Sequence, residues 1–127
     1  MCARCHRVGA HGPAVGQDLT FVSRRFSRRD ICESVLSPSK VVAEPWRMTQ
    51  VTTSSGQIFA GRLISGGDFR SERIRLSTDP LRVTAVQEID KTQIEEMRTM
   101  ELSPMPAGLL NTFTLDEIRD LLAWLER

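Results

Sequence analysis

Cys2-Ala3-Arg4-Cys5-His6 decides how this chain is read. In a C-x-x-C-H pentapeptide two thiols can add to the vinyl groups of a haem as thioethers. The adjacent imidazole can then offer a nitrogen to the iron beneath the ring. Two other chemistries share the C-x-x-C part. A dithiol oxidoreductase sets it after a strand, at the opening of a helix, and here no strand precedes it. A zinc site needs four ligands. Cys2, Cys5, His6 or His11, and Cys32 could supply them, but there is no second C-x-x-C or H-x-x-x-H pair. Covalent haem attachment is the reading expected, with Cys32 left as a small apolar residue on a helix.

Composition bounds what surrounds the motif. A length of 127 residues allows one domain, or one domain carrying an insertion. Hydrophobic content of 40% beside 26% charged residues suits a globular chain. No apolar run approaches the length of a membrane span, so no membrane insertion is expected. Haem is joined to such motifs outside the cytoplasm, yet no signal peptide is visible. The chain is therefore expected to be a piece of a larger exported, periplasmic protein. Residues 1–40 carry seven basic and three acidic groups, whereas residues 88–127 carry four basic and nine acidic groups. Such asymmetry is common on solvated surfaces, and it could also orient a redox partner.

Working outward, residues 7–26 read as a loop punctuated by Gly9, Gly12, Pro13 and Gly16, with Leu19, Phe21, Val22 and Phe26 as apolar anchors. Ser27-Arg28-Arg29-Asp30 is a capping box, with Phe26 and Ile31 placed for a staple. It predicts a helix from Arg28 to about Leu36, stopped by Ser37-Pro38. Ile31, Val35 and Cys32 are its inward candidates. At the other end Thr114-Leu115-Asp116-Glu117 is a second capping box. Ile118, Leu121, Leu122 and Leu125 follow the spacing of an amphipathic helix. That face is expected to bury against the first helix and a haem edge.

Between the helices the period changes to that of strands. Met48–Thr53, Ile58–Ser65, Arg73–Ser77, Val83–Ile89 and Thr92–Met97 are expected strands. They are separated by Ser54-Ser55-Gly56, Gly66-Gly67-Asp68 and Asp79-Pro80. The fold class expected is α+β: a small α-helical haem domain, residues 1–46 and 98–127, interrupted by an inserted antiparallel β-barrel or sheet module, residues 47–97. The helical part alone is roughly 75 residues, small for a core without a prosthetic group at its centre.

A low-spin haem needs a sixth ligand. His11, Met48, Met97, Met100 and Met105 are the candidates. His11 lies too close to His6 in sequence to reach the opposite face easily. Met105 is favoured over Met100, because Pro104 and Pro106 stiffen the backbone around it and Met/His ligation is a standard haem arrangement.

Several motifs occur in a fixed order: C-x-x-C-H, a Gly-rich loop ending in Asp18-Leu19-Thr20, Glu33-Ser34-Val35-Leu36-Ser37-Pro38-Ser39, Ser55-Gly56 and Ala60-Gly61, Ser103-Pro104-Met105-Pro106, and Asp120-Leu121-Leu122-Ala123-Trp124-Leu125. In this the chain resembles the haem-binding domain described from planctomycetes and verrucomicrobia, a mono-haem c-type cytochrome with a β insertion. The resemblance implies thioethers at Cys2 and Cys5, His6 as proximal ligand and Met105 as distal ligand. It also implies a position near the C-terminal end of a large exported protein, often beside a dehydrogenase-like domain. The family has Gly-Pro-Asp-Leu where this chain has Gly16-Gln17-Asp18-Leu19, and in c-type cytochromes that proline's carbonyl accepts the proximal histidine's other N–H. No helix precedes the motif here, so the Ile118–Leu125 face is expected to be partly exposed or covered by another chain.

The function expected is electron transfer by one haem c, with no catalytic residues and no enzymatic turnover. Leu19, Phe21, Phe26 and Trp124 are the expected haem-packing residues. Arg24, Arg25, Arg28 and Arg29 either face solvent or pair with propionates or a partner. The expected partner is a redox protein or a dehydrogenase domain of the parent chain. Nucleic acid is not expected, because residues 48–97 lack a basic stripe and are poor in aromatics. An alternative is a haem-containing interaction or gas-binding module in which the β insertion docks a partner.

Overall fold

The computed structural model describes residues 2–64, 71–82 and 84–127. The protein is mixed α+β, with two α-helices and a five-stranded antiparallel sheet. Its chain forms two compact units, Met1–Val41 with Met105–Arg127, and Val42–Pro104. The sequence reading sets the boundaries at 46/47 and 97/98, whereas the units divide at 41/42 and 104/105. Pairing beyond the strand ends is the reason. Met48 N–H donates to the Leu102 carbonyl at 2.9 Å and Met100 N–H to the Met48 carbonyl at 2.8 Å, which ties the flanking segments to the sheet.

In the first unit helix α1 spans Arg28–Leu36 and helix α2 spans Leu115–Leu125. Both capping boxes are formed. Ser27 and Thr114 accept from the N3 backbone N–H, and the Asp30 and Glu117 carboxylates accept from the cap N–H. Each cap satisfies donors that the first turn leaves without an intrahelical partner. Ser37 ends α1, its N–H bonded to the Glu33 carbonyl at 2.8 Å.

The two helices meet through Ile31 of α1 and Leu125 of α2, buried together with Val22. Leu19, Leu121 and Leu122 pack around this cluster. Arg28 Nε donates to Glu126 at 2.8 Å, a second tie between the helices. Cys32 and Val35 are half-buried rather than core residues. The expected loop over residues 7–26 contains a 3₁₀ turn, Val22–Arg24, which delivers Val22 into the core. Phe21 and Phe26 do not act as buried anchors. They stay 56% and 43% exposed, with the Arg24 and Arg25 guanidinium groups over their rings.

In the second unit the strands are β1 (Met48–Thr53), β2 (Ile58–Leu63), β3 (Arg73–Ser77), β4 (Val86–Asp90) and β5 (Ile94–Thr99). The sheet order is β4-β3-β2-β1-β5, with every neighbour antiparallel. The expected fourth strand starts later, at Val86, after a turn in which Ala85 N–H donates to the Arg82 carbonyl. The expected fifth strand also starts later, because Lys91–Gln93 form a 3₁₀ turn. The expected Ser65 strand end, the Gly66-Gly67-Asp68 turn and Val83 lie outside the described residues.

Sheet order and connection length together force a curl. Five flat strands spaced about 4.8 Å apart would separate the two edge strands by about 19 Å. The connection from Asp90 to Ile94 can span only about 14 Å. The sheet therefore curls on itself but does not close into a barrel: no pairing joins β4 to β5 among the described residues. Within this unit Val51, Leu76 and Ile89 form the buried cluster, Val51 and Leu76 having no exposed surface. Gly61 permits the close approach of β2 to β3, since a Cβ there would stand 2.5 Å from the Ser77 carbonyl oxygen. No helix among the described residues is long and apolar enough to cross a membrane.

Candidate functional site

Cys2–Arg4 form a 3₁₀ turn. The N–H groups of Cys5 and His6 both donate to the Cys2 carbonyl, at 3.1 and 2.9 Å. In such a turn side chains three residues apart eclipse one another. The C-x-x-C spacing therefore sets Cys2 and Cys5 on one side, and both are half-buried. His6 follows at once and is also half-buried.

The Gly-rich loop folds back over this turn. Gly16 N–H donates to the Cys5 carbonyl at 2.7 Å, and Leu19 N–H to the Arg7 carbonyl at 2.9 Å. Val8 and His11 exchange backbone hydrogen bonds, which closes the intervening loop. Two glycines are needed for the fit. Gly12 has φ +85°, and a Cβ there would overlap the His6 carbonyl oxygen. At Gly16 a Cβ would stand 2.6 Å from His6 Cε1 and 2.8 Å from Nδ1. The imidazole thus lies against bare backbone.

One hydrogen bond sets the chemistry of that ring. His6 Nδ1 is 2.6 Å from the Gln17 backbone carbonyl oxygen. A carbonyl can only accept, so Nδ1 carries the proton. Nε2 of the neutral ring is left with its lone pair, the form in which histidine binds metals. A carbonyl on the other ring nitrogen also fixes ring orientation and raises ligand basicity. In this chain the carbonyl belongs to Gln17 rather than to a proline.

The loop presenting that carbonyl is itself tied down. Asp18 Oδ1 accepts from the Thr20 backbone N–H at 2.8 Å and from its hydroxyl at 2.5 Å. Thr20 Oγ1 in turn accepts from Gly9 N–H at 2.8 Å. The Thr20 bonds, first through its side chain, hold the Asp18 carboxyl below the ordinary aspartate range. Arg25 Nη2 donates to the Asp18 carbonyl at 3.2 Å. An aspartate two residues before a threonine is a local turn pattern that a sequence can show, whereas the Arg25 contact leaves no such pattern.

The other expected site residues are placed as follows. Met105 is half-buried in a bend next to Pro104, in the same compact unit as His6. Met48, Met97 and Met100 all belong to the sheet unit. His11 is exposed and its backbone is used in the loop closure. Leu19 packs on the helical core, and Trp124 lies on α2 with 41% of its surface exposed. Arg28 is committed to Glu126. Among the described residues no group of three or more His, Cys, Asp or Glu side chains gathers as a metal site would require.

No protein-family model matches this chain, and no curated protein matches it at a significant level.

Proposed function

We propose that the unit of residues 1–41 and 105–127 is a mono-haem c-type electron carrier of the cytochrome c-like kind, in which Cys2 and Cys5 hold haem c. The observation that carries this reading is the 2.6 Å contact between His6 Nδ1 and the Gln17 carbonyl. It prepares His6 as an Nε2 donor before any metal arrives, immediately after a turn that sets two thiols on one side. In attachment each thiol adds across a vinyl group. A C–S bond forms to one vinyl carbon and the hydrogen goes to the other, so no oxidant is consumed.

A haem bound here supplies reversible one-electron chemistry at its iron. The chain's residues supply the rest. His6 would hold the iron through Nε2, and Gly12 and Gly16 leave room for the turn and its imidazole. Met105, stiffened by Pro104 and Pro106, would hold the iron of a bound haem through its soft sulfur, which favours the ferrous state. Phe21, Phe26 and Trp124 supply apolar surface for the porphyrin beside Leu19. No residue is assigned a catalytic role.

Haem joined through thioethers is made outside the cytoplasm, so the chain belongs to an exported, periplasmic-type protein. Its electrons pass to or from a redox protein or a dehydrogenase domain of the same parent chain. The test is expression with export and haem-maturation machinery, followed by acid–acetone extraction. Haem should stay with the wild-type chain and be extracted from Cys2→Ala/Cys5→Ala.

A further inference from the structure

We propose that Arg25 is the positioning residue for His6, holding the Gln17–Asp18 backbone so that the Gln17 carbonyl stays on Nδ1. The part of this inference that concerns the reduction potential rests on the haem reading above. The part that concerns the ring does not.

Two backbone bonds pin the loop on either side of the contact, at Gly16 and at Leu19. Between these pins the grip is Arg25. Its Nη2 donates to the Asp18 carbonyl at 3.2 Å. The Gln17 side-chain amide, turned so that its oxygen faces the guanidinium, accepts from Arg25 Nη1 at 3.0 Å and Nη2 at 3.1 Å. One planar fork thus takes the backbone oxygen of one residue and the side chain of its neighbour, in a fixed geometry that the rotatable ammonium of a lysine does not impose.

Arg25 is an exposed side chain whose backbone is tied to the edge of the core. Its backbone N–H donates to the carbonyl of buried Val22 at 3.1 Å, and its guanidinium lies 5.6 Å from the Phe26 ring centroid. A line of contacts therefore runs from the helical core through Arg25 to the peptide that chooses the His6 tautomer. Gln17 lacks the fixed φ that a proline would give, and the Arg25 fork supplies an external restraint in its place.

The consequence has a sign that separates it from simple charge. Weakening the Nδ1–H bond makes Nε2 a poorer donor and disfavours ferric iron, so the reduction potential rises. Removing a nearby positive charge favours the ferric state, so the potential falls.

The experiment uses the full chain in two forms. In the haem-free chain, imidazole ¹⁵N spectra under alkaline conditions report the His6 tautomer. Wild type should hold the proton on Nδ1, and Arg25→Ala should raise the Nε2–H fraction at least twofold. In the haem-loaded chain Arg25→Ala should weaken the ferric preference about two- to tenfold, an upward shift of about 18–59 mV at 59 mV per tenfold. Arg25→Lys keeps the charge and should move both readouts the same way by less. Arg119→Ala, which removes an exposed charge paired to Asp116 on α2, should leave the tautomer alone. An unchanged tautomer in both Arg25 variants overturns the proposal, as does a potential that falls in Arg25→Ala and stays put in Arg25→Lys. If the tautomer shifts but the wild-type chain takes up no covalent haem, the positioning role stands and the haem reading fails.

Discussion

Gly16 lies directly against the His6 imidazole: a Cβ on residue 16 would stand 2.6 Å from Cε1, 2.8 Å from Nδ1 and 3.0 Å from Nε2. The ring cannot stay in place beside any larger residue. Gly16→Ala should therefore push the imidazole away from the Gln17 carbonyl. Overpacking of this kind costs about 1–3 kcal/mol, measurable by denaturant unfolding of the haem-free chain. Gly12→Ala should cost more, since the overlap there is with backbone and φ is +85°.

The helix caps make a prediction that does not depend on haem. Ser27→Ala and Thr114→Ala should each destabilise the helical unit by about 1 kcal/mol. Equal melting curves for the variants and wild type would contradict the cap geometry.

Acid should weaken the same unit. The Asp18, Asp30 and Glu126 carboxyls are held below their ordinary values of 3.8, 3.8 and 4.5 by Thr20, Ser27 and Arg28 respectively. A carboxyl with a depressed folded value stabilises the fold above its unfolded value and loses that contribution as pH falls through the folded one. Thermal stability of the haem-free chain should thus hold above pH 4.5 and decline progressively below it. The Arg28 and Arg73 guanidinium groups, raised by their Glu126 and Asp90 partners, add no pH dependence in this range. These groups are exposed, so the decline should be gradual and weaker in high salt.

The sheet unit is held by its own core. Leu76→Ala removes a side chain with no exposed surface from contact with Val51 and Ile89. It should cost that unit about 2–5 kcal/mol. The absorption spectrum of bound haem at room temperature should be unchanged. A spectral change would contradict the reading of the chain as two independent parts.

Local rules carried most of the fold. The Ser27 and Thr114 boxes fixed both helix starts, because capping is decided within four residues. Strand β1 after Arg47 and strand β3 before Thr78 matched their expected limits, since alternation and turn residues are also local. The reading failed where distant parts of the chain decide. Thr92 joins a turn because the chain must leave one sheet edge and start the other. Phe21 looked like an anchor, but the turn at Val22–Arg24 gives the buried place to Val22. At the site Cys2, Cys5 and His6 were legible as a motif. The Gln17 carbonyl entered through a family resemblance, while the Gly16 contact and the Arg25 fork span sequence gaps that no local pattern reveals.

Met105 is the expected distal ligand, and its replacement separates an electron carrier from a gas-binding site. Met105→Ala should lower the reduction potential by about 59 mV for each tenfold loss of ferrous preference. It should also abolish the far-red sulfur-to-iron band of the ferric protein and admit carbon monoxide to the ferrous form. Met100→Ala should do none of these. If Met100→Ala removes the band and Met105→Ala spares it, the ligand is Met100. If wild type binds carbon monoxide as readily as Met105→Ala does, the gas-binding alternative is favoured.

Covalent haem on Cys2 and Cys5 with His6 beneath it is the central claim, and the intact mass and visible spectrum of the exported, matured chain after acid–acetone extraction test it most directly. The account predicts a chain heavier by one haem, with a low-spin c-type spectrum, and a Cys2→Ala/Cys5→Ala chain of bare polypeptide mass. A wild-type chain that emerges from the same maturation at bare mass, or carrying one zinc in place of haem, would contradict it.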